Sequence, residues 1–90
     1  MIGPFGFIER VILVCSKHLG SVSSWGRTYK HNKDVGGVDG SIHTLWLGCD
    51  VVLDVMAKDP EFEKDCSLVG LVPIFEGDHY HLQPASVVPK

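Results

Sequence analysis

The sequence predicts an α+β domain in which a small antiparallel sheet packs against an N-terminal helix and a second, shorter helix. Three observations predict this class: an amphipathic segment near the N-terminus, several short apolar segments bounded by Gly, Pro and Asp, and a helix-start signal between two of them. The chain has 90 residues, of which 44% are hydrophobic and 21% charged, which suffices for a single domain at 1–90 with its own core.

The first predicted element is a helix from Phe7 to Leu19, because its apolar residues recur on one helical face and Gly20 follows as a stop signal. Ser21–Ser24 is predicted as a short strand. Residues 27–40 are polar and rich in Gly, Asn and Asp, so they are predicted as a long ordered loop with one helical turn at 30–35. Loops of this length in small domains tend to be functional.

The second half of the chain predicts a strand, a helix and a hairpin. Gly48–Val55 has the β-branched composition of a buried strand. Asp59 and Pro60 predict the start of the second helix, with Asp59 as the N-cap and Pro60 at the first helical position. Residues 71–75 and 79–83 are predicted to form a hairpin that turns at 76–78.

Charge and composition argue against several classes of partner. The net charge is −3, and the eight Lys and Arg are scattered, so neither nucleic acid nor insertion into a membrane is expected. The longest aliphatic run, 11–15, is too short to cross a bilayer, and no signal peptide is recognised. Cys15, Cys49 and Cys66 lack a Cys-x-x-Cys pair, so they are predicted to be small buried hydrophobes.

Histidines and aspartates in two parts of the chain have the composition of a catalytic zinc site. His43 is followed by Asp50, and 78–81 reads Asp-His-Tyr-His. Two histidines and one aspartate can hold zinc and leave a position open for water. A fully extended chain would separate residues 43 and 50 by about 23 Å, so the chain must fold back between them. His79 and His81 fall on one face of a strand, and either can reach the metal.

Residues 24–51 resemble the M15 family of zinc peptidases, whose segment follows the pattern S-G-Y-R-S-x-x-H-N-x-x-V-G-G-x-x-x-S-x-H-x-x-G-x-A-x-D. The spacing is kept without a gap. The matched positions are Ser24, Arg27, His31, Asn32, Val35, Gly36, Gly37, Ser41, His43 and Asp50. The stretch 77–82 is similar to the closing motif of the phage endolysin members, in which an aspartate stands three residues before the last zinc histidine.

The resemblance implies a role for each matched residue of the site. The implied zinc ligands are His43, Asp50 and His81. Asp78 would be the general base, and Arg27 would stabilise the oxyanion on the attacked carbonyl. Ser41 would shape the loop or contact substrate, because the nucleophile in this mechanism is water.

Two rival assignments and three departures accompany the resemblance. His79 is a rival third ligand, and Glu76 is a rival base. Trp46 stands where the family has a glycine three residues after the first histidine, and Gly48 replaces the family's alanine five residues after it. Trp25 and Gly26 exchange the usual small and aromatic order, so the shape of the cleft is expected to differ from that of the family.

The function implied by the resemblance is a zinc-dependent peptidase that cleaves peptidoglycan stem peptides. It would act as an endolysin-like endopeptidase or as a D,D-carboxypeptidase, with Zn²⁺ as cofactor and a phage or prophage as a fitting source. Such a protein would stay in the cytoplasm until its release to the cell wall, or would travel in the virion. Two other classes stay open: a non-catalytic binding module of M15 shape and a metal-free structural component of a virion.

Overall fold

The structure is a computed structural model, and it describes residues 2–26 and 45–86. Within these residues the chain forms two helices and four strands. In chain order they are α1 (Pro4–Lys17), β1 (Gly20–Trp25), β2 (Cys49–Leu53), α2 (Pro60–Leu68), β3 (Leu71–Phe75) and β4 (Tyr80–Pro84). The strands form one antiparallel sheet with the order β1-β2-β4-β3. The predicted α+β class is therefore confirmed.

Helix α1 begins at Pro4 rather than at Phe7 and ends at Lys17 rather than at Leu19. Proline suits the first helical position because its missing N–H has no partner there in any helix. At the other end Leu19 has a positive φ of 54°, which ends the helix and lets Gly20 enter β1. The helix thus ends two residues earlier than predicted, because the residue with the left-handed conformation is Leu19 and not Gly20.

The core lies between one face of the sheet and the two helices. Alternate residues of the central strands point toward the helices, because side chains along a strand alternate between the two faces. The buried apolar residues are Phe7, Val11, Val14, Cys15, Cys49, Val51, Leu53, Phe62, Cys66, Leu71, Tyr80 and Leu82. All three cysteines belong to this set as free thiols, which confirms the predicted burial.

Helix α2 begins where the sequence predicts. The Asp59 side chain accepts a hydrogen bond from the Phe62 amide at 3.1 Å, and Pro60 occupies the first turn. The Tyr80 hydroxyl accepts a hydrogen bond from the Asp59 amide at 2.8 Å and donates one to Glu63 Oε2 at 2.6 Å. Because Tyr80 belongs to β4, this network ties the start of α2 to one of the two central strands.

The predicted C-terminal hairpin is confirmed as β3 and β4, although β4 starts at Tyr80 and extends to Pro84. The Glu76 amide donates to the His79 carbonyl at 2.9 Å and closes the turn. The predicted strands at 21–24 and 48–55 are also present, as β1 and β2 with shifted ends. The predicted loop at 27–40 lies outside the described residues. Neither described helix has the length and apolar character needed to cross a bilayer.

Candidate metal centre

The two central strands of the sheet bring Asp50 and His81 together. Asp50 in β2 pairs across the ladder with His81 in β4, and directly paired residues project to the same face. Their neighbours Cys49 and Leu82 pack into the core on the helix side, so Asp50 and His81 lie on the opposite face. His81 Nδ1 is 3.6 Å from Asp50 Oδ1; the His81 side chain is fully buried and that of Asp50 is 19% exposed.

His79 faces the same oxygen of Asp50. It lies two residues before His81, and its Nε2 is 3.8 Å from Asp50 Oδ1. Both nitrogen–oxygen distances exceed a hydrogen bond, which spans about 2.7–3.2 Å. They are closer to the separation of neighbouring ligand atoms at a tetrahedral zinc, about 3.3 Å for bonds of about 2 Å. One carboxylate oxygen is thus faced by two ring nitrogens at near-ligand spacing.

The second nitrogen of each imidazole bonds to an acceptor. His79 Nδ1 is 2.6 Å from Asp78 Oδ1, and His81 Nε2 is 2.8 Å from Gln83 Oε1. Carboxylate and amide oxygens only accept, so these ring nitrogens donate. In the neutral rings the lone pairs are then on His79 Nε2 and His81 Nδ1, the two atoms that face Asp50. Metal-binding histidines in proteins almost always have such a second partner.

A β-bulge lies opposite Asp50. The register between β1 and β2 shifts between Val22 and Ser24, so that Ser24 pairs with Asp50 and Ser23 is the extra residue. The Ser23 hydroxyl donates to the Asp50 carbonyl at 3.1 Å. Bulges are enriched beside active sites because they bend a strand and re-aim its side chains. The hydrogen bond from Ser23 therefore holds the backbone of Asp50, the residue whose carboxylate faces the two imidazoles.

Asp78 differs from Asp50 in its surroundings. Its side chain is 90% exposed. The hydrogen bond from His79 lowers the pKa of the Asp78 carboxyl below its usual range. Asp78 therefore remains ionised at neutral pH and is suited to accept the His79 proton in a hydrogen bond. The Asp78 carboxylate therefore orients the ring of His79, which lies two residues before His81.

Several predicted site residues lie outside the described part of the chain: Arg27, His31, Asn32, Ser41 and His43. Of the predicted set, the structure brings together Asp50, Asp78, His79 and His81, and it places Glu76 exposed in the hairpin turn. Within residues 2–26 and 45–86, no three or more His, Cys, Asp or Glu side chains are grouped so that they could hold a metal ion. A complete shell would need a ligand from elsewhere, and His43 is the one predicted.

The residues that depart from the family pattern lie against each other. The Trp46 ring lies across Gly26, where an added Cβ would come within 2.1 Å of Trp46 Cε3. Trp25 and Trp46 pack edge to face with ring centroids 5.2 Å apart, and Trp25 Nε1 donates to the Trp46 carbonyl at 3.0 Å. Trp46 has a φ of 59°, a conformation that glycine adopts without strain. Because Gly26 has no side chain, the Trp46 ring fits against its backbone.

Gln83 is the residue of this site that sequence reasoning missed. Its side chain is fully buried and lies on the same face as His81, two residues along β4. The signal was available, since residues 79, 81 and 83 follow the period of two that places side chains on one face of a strand. A buried glutamine amide needs a hydrogen-bond partner, and the neighbouring residue on that face of β4 is His81.

Comparison of the chain with protein-family models, with curated proteins and with solved structures gives no match. Function is therefore inferred from the geometry around Asp50 and from the sequence resemblance.

Proposed function

We propose that this chain is a zinc-dependent peptidase of M15 fold that cleaves peptidoglycan stem peptides. The metal ligands in this proposal are His43, Asp50 and His81. The observation that carries it is the pair of imidazole nitrogens at 3.6 and 3.8 Å from one Asp50 oxygen, each ring bonded through its other nitrogen to an acceptor. Simple ion pairing would instead favour hydrogen-bond distances to Asp50 itself.

The donor set fits zinc by its chemistry. Imidazole nitrogen and carboxylate oxygen are two of the three protein ligand types of this ion, and catalytic sites use three such ligands. His81 is fully buried beside the partly exposed Asp50, so one side of the site is dry and the other is open to solvent. Zinc held here would polarise a scissile carbonyl and lower the pKa of a bound water.

The remaining chemistry is assigned to residues of the chain. Asp78 would accept a proton at a carboxylate oxygen, and its lowered pKa keeps that carboxylate ionised. Arg27 would donate hydrogen bonds to the oxyanion, a contribution that in enzymes is worth about 3–4 kcal/mol for one donor. Both roles come from the sequence resemblance. The endolysin-like closing motif at 77–82 favours an endopeptidase over a D,D-carboxypeptidase.

The test is release of peptides from purified bacterial peptidoglycan by the full chain with zinc, followed by mass spectrometry. Wild-type protein should release stem peptides. Asp50→Asn and His81→Ala should lose both zinc and activity, and His79→Ala should retain zinc if His81 is the third protein ligand. A folded, zinc-loaded wild type that releases nothing would contradict the proposal.

A binding module is the second candidate, and the exposure of Asp78 favours it. A carboxylate that is 90% exposed and bonded to His79 is poorly placed for proton transfer in a water-poor site. Asp78→Ala separates the two functions. A peptidase should lose most of its turnover while it keeps zinc, whereas a binding module should keep its affinity for peptidoglycan peptides in that variant.

A further inference from the structure

Gln83 lies in the interior of the sheet with only one end of its amide bonded. Oε1 accepts a hydrogen bond from His81 Nε2 at 2.8 Å. The other end, Nε2, is buried and has no hydrogen-bond partner among the described residues. An unpartnered buried N–H group costs stability, which methionine or leucine of similar size would avoid. Packing alone therefore does not account for a glutamine at this position.

The contact between Gln83 and His81 fixes which nitrogen of the imidazole carries the proton. With Oε1 toward the ring, Nε2 of His81 is the donor and Nδ1 has the lone pair. If the amide were reversed, the NH₂ group would face the ring and the proton would move to the side of Asp50.

We infer that Gln83 is a positioning residue that holds His81 in the Nε2–H tautomer, so that Nδ1 is the nitrogen presented to a divalent cation beside Asp50. This inference rests on the proposed zinc site. It adds a residue that the sequence resemblance does not include, and it names the ligating atom. Second partners of metal-bound histidines typically change metal affinity about 10- to 100-fold when they are removed.

Three variants of the full chain test this role. Gln83→Met keeps the length of the side chain and removes the strong acceptor. Gln83→Glu keeps an acceptor oxygen and serves as the rescue. Tyr80→Phe is the matched control, because it also removes side-chain hydrogen bonds from β4, the two part-buried bonds of the Tyr80 hydroxyl, but on the helix side of the sheet. Zinc affinity is measured by competition with a chelator, and the His81 tautomer of the metal-free protein is measured by ¹⁵N NMR.

The expected result is an Nε2–H tautomer of His81 in wild-type protein and a mixture of tautomers in Gln83→Met. Zinc affinity should fall about 10- to 100-fold in Gln83→Met, recover in Gln83→Glu and stay at the wild-type value in Tyr80→Phe. An Nδ1–H tautomer in wild-type protein would overturn the inference, whether or not Gln83→Met folds. So would equal zinc affinity of wild type and folded Gln83→Met, and in that case the proposed zinc site would stand.

Failure of the proposed function gives a different result. Wild-type protein would then bind no zinc, while the tautomer of His81 would still depend on Gln83. That outcome would reject the presentation of Nδ1 to a cation and leave only a structural hydrogen bond within β4.

Discussion

At the scale of single residues, Gly26 and Trp46 fit against each other. Trp46 has a positive φ of 59°, a conformation that glycine favours. Its ring takes the space that a side chain at Gly26 would need. The conformation of Trp46 therefore depends on the missing side chain at Gly26, and Trp46 at 43% exposure places an aromatic surface at the end of β1. A side chain added at Gly26 is therefore expected to displace the Trp46 ring.

Gly26→Ala should destabilise the protein by about 2–5 kcal/mol, because a left-handed alanine costs about 1–2 kcal/mol and displacement of the indole adds a further overpacking cost of about 1–3 kcal/mol. The measurement is the free energy of unfolding in urea, together with tryptophan fluorescence of the folded state.

Gly77→Ala is the matched control for this variant. Gly77 also has a positive φ, but nothing lies within 4 Å of an added Cβ, so its substitution measures the backbone cost alone. Equal losses of stability in the two variants would mean that the Trp46 ring does not depend on the gap at Gly26.

At the scale of elements, the start of α2 and the strand β4 are linked through one tyrosine. The Tyr80 hydroxyl bonds to the Asp59 amide and to Glu63, while His79 and His81 flank Tyr80 and project to the other face. Burial raises the pKa of the Tyr80 phenol to about 12, so this hydroxyl keeps its proton and continues to donate at neutral pH. The helix-side contacts of β4 thus tie that strand to the start of α2.

Asp59→Ala should lower the unfolding free energy by about 1 kcal/mol, within a range of about 0.5–2 kcal/mol, because the Phe62 amide loses its N-cap acceptor. Ser67→Ala is the control in the same helix. It removes a side-chain hydrogen bond to the Glu63 carbonyl, and that exposed bond is expected to change stability by less than about 0.5 kcal/mol. Similar effects of the two substitutions in urea unfolding would contradict the capping role.

At the scale of the whole molecule, carboxylates connect α1, α2 and β4. Asp65 in α2 bonds to His18 at 2.6 Å and lies 3.3 Å from Lys17, both at the end of α1. These contacts lower the pKa of the Asp65 carboxyl, the hydrogen bond with His18 contributing most. Hydrogen bonds from Lys58 and Tyr80 lower the pKa of Glu63. The layers are thus joined by ionised groups as well as by the apolar core.

Stability should therefore fall in acid. A carboxyl whose pKa is lower in the folded than in the unfolded state contributes stability that is fully present above the unfolded value and is lost as the pH falls through the folded value. The loss should begin near pH 4, about the unfolded pKa of Asp and Glu, and continue below it. Urea midpoints measured between pH 2 and pH 7 should show this decline, and Asp65→Asn with Glu63→Gln should flatten it. An unchanged slope in the double variant would contradict the assignment.

The elements were predictable where the chain has strong local signals. Asp59 and Pro60 give the start of α2, and the two short segments on either side of the turn at 76–78 give the hairpin. The end of α1 was misplaced because nothing local indicates that Leu19 adopts a positive φ. Such a conformation depends on how the helix meets the sheet rather than on the preference of a leucine.

The site was predictable in composition but not in arrangement. The sequence pattern selects Asp50 and the two histidines, but only the register between β2 and β4 places Asp50 opposite His81. Register depends on contacts between segments about 30 residues apart, which no local pattern encodes. The bulge at Ser23 is likewise set by the pairing of β1 with β2, whereas the bond from His81 to Gln83 lies within β4 and follows its period of two.

Zinc stoichiometry of the purified, folded chain is the most direct measurement of the central claim, that Asp50 and His81 hold a metal ion. Elemental analysis after dialysis should give one zinc per wild-type chain and almost none for Asp50→Asn or His81→Ala. The melting temperature of the wild type should fall when a chelator removes the metal, because an ion that binds only the folded state stabilises it. A folded wild-type chain without stoichiometric zinc, and with a melting temperature that a chelator does not change, would contradict the claim.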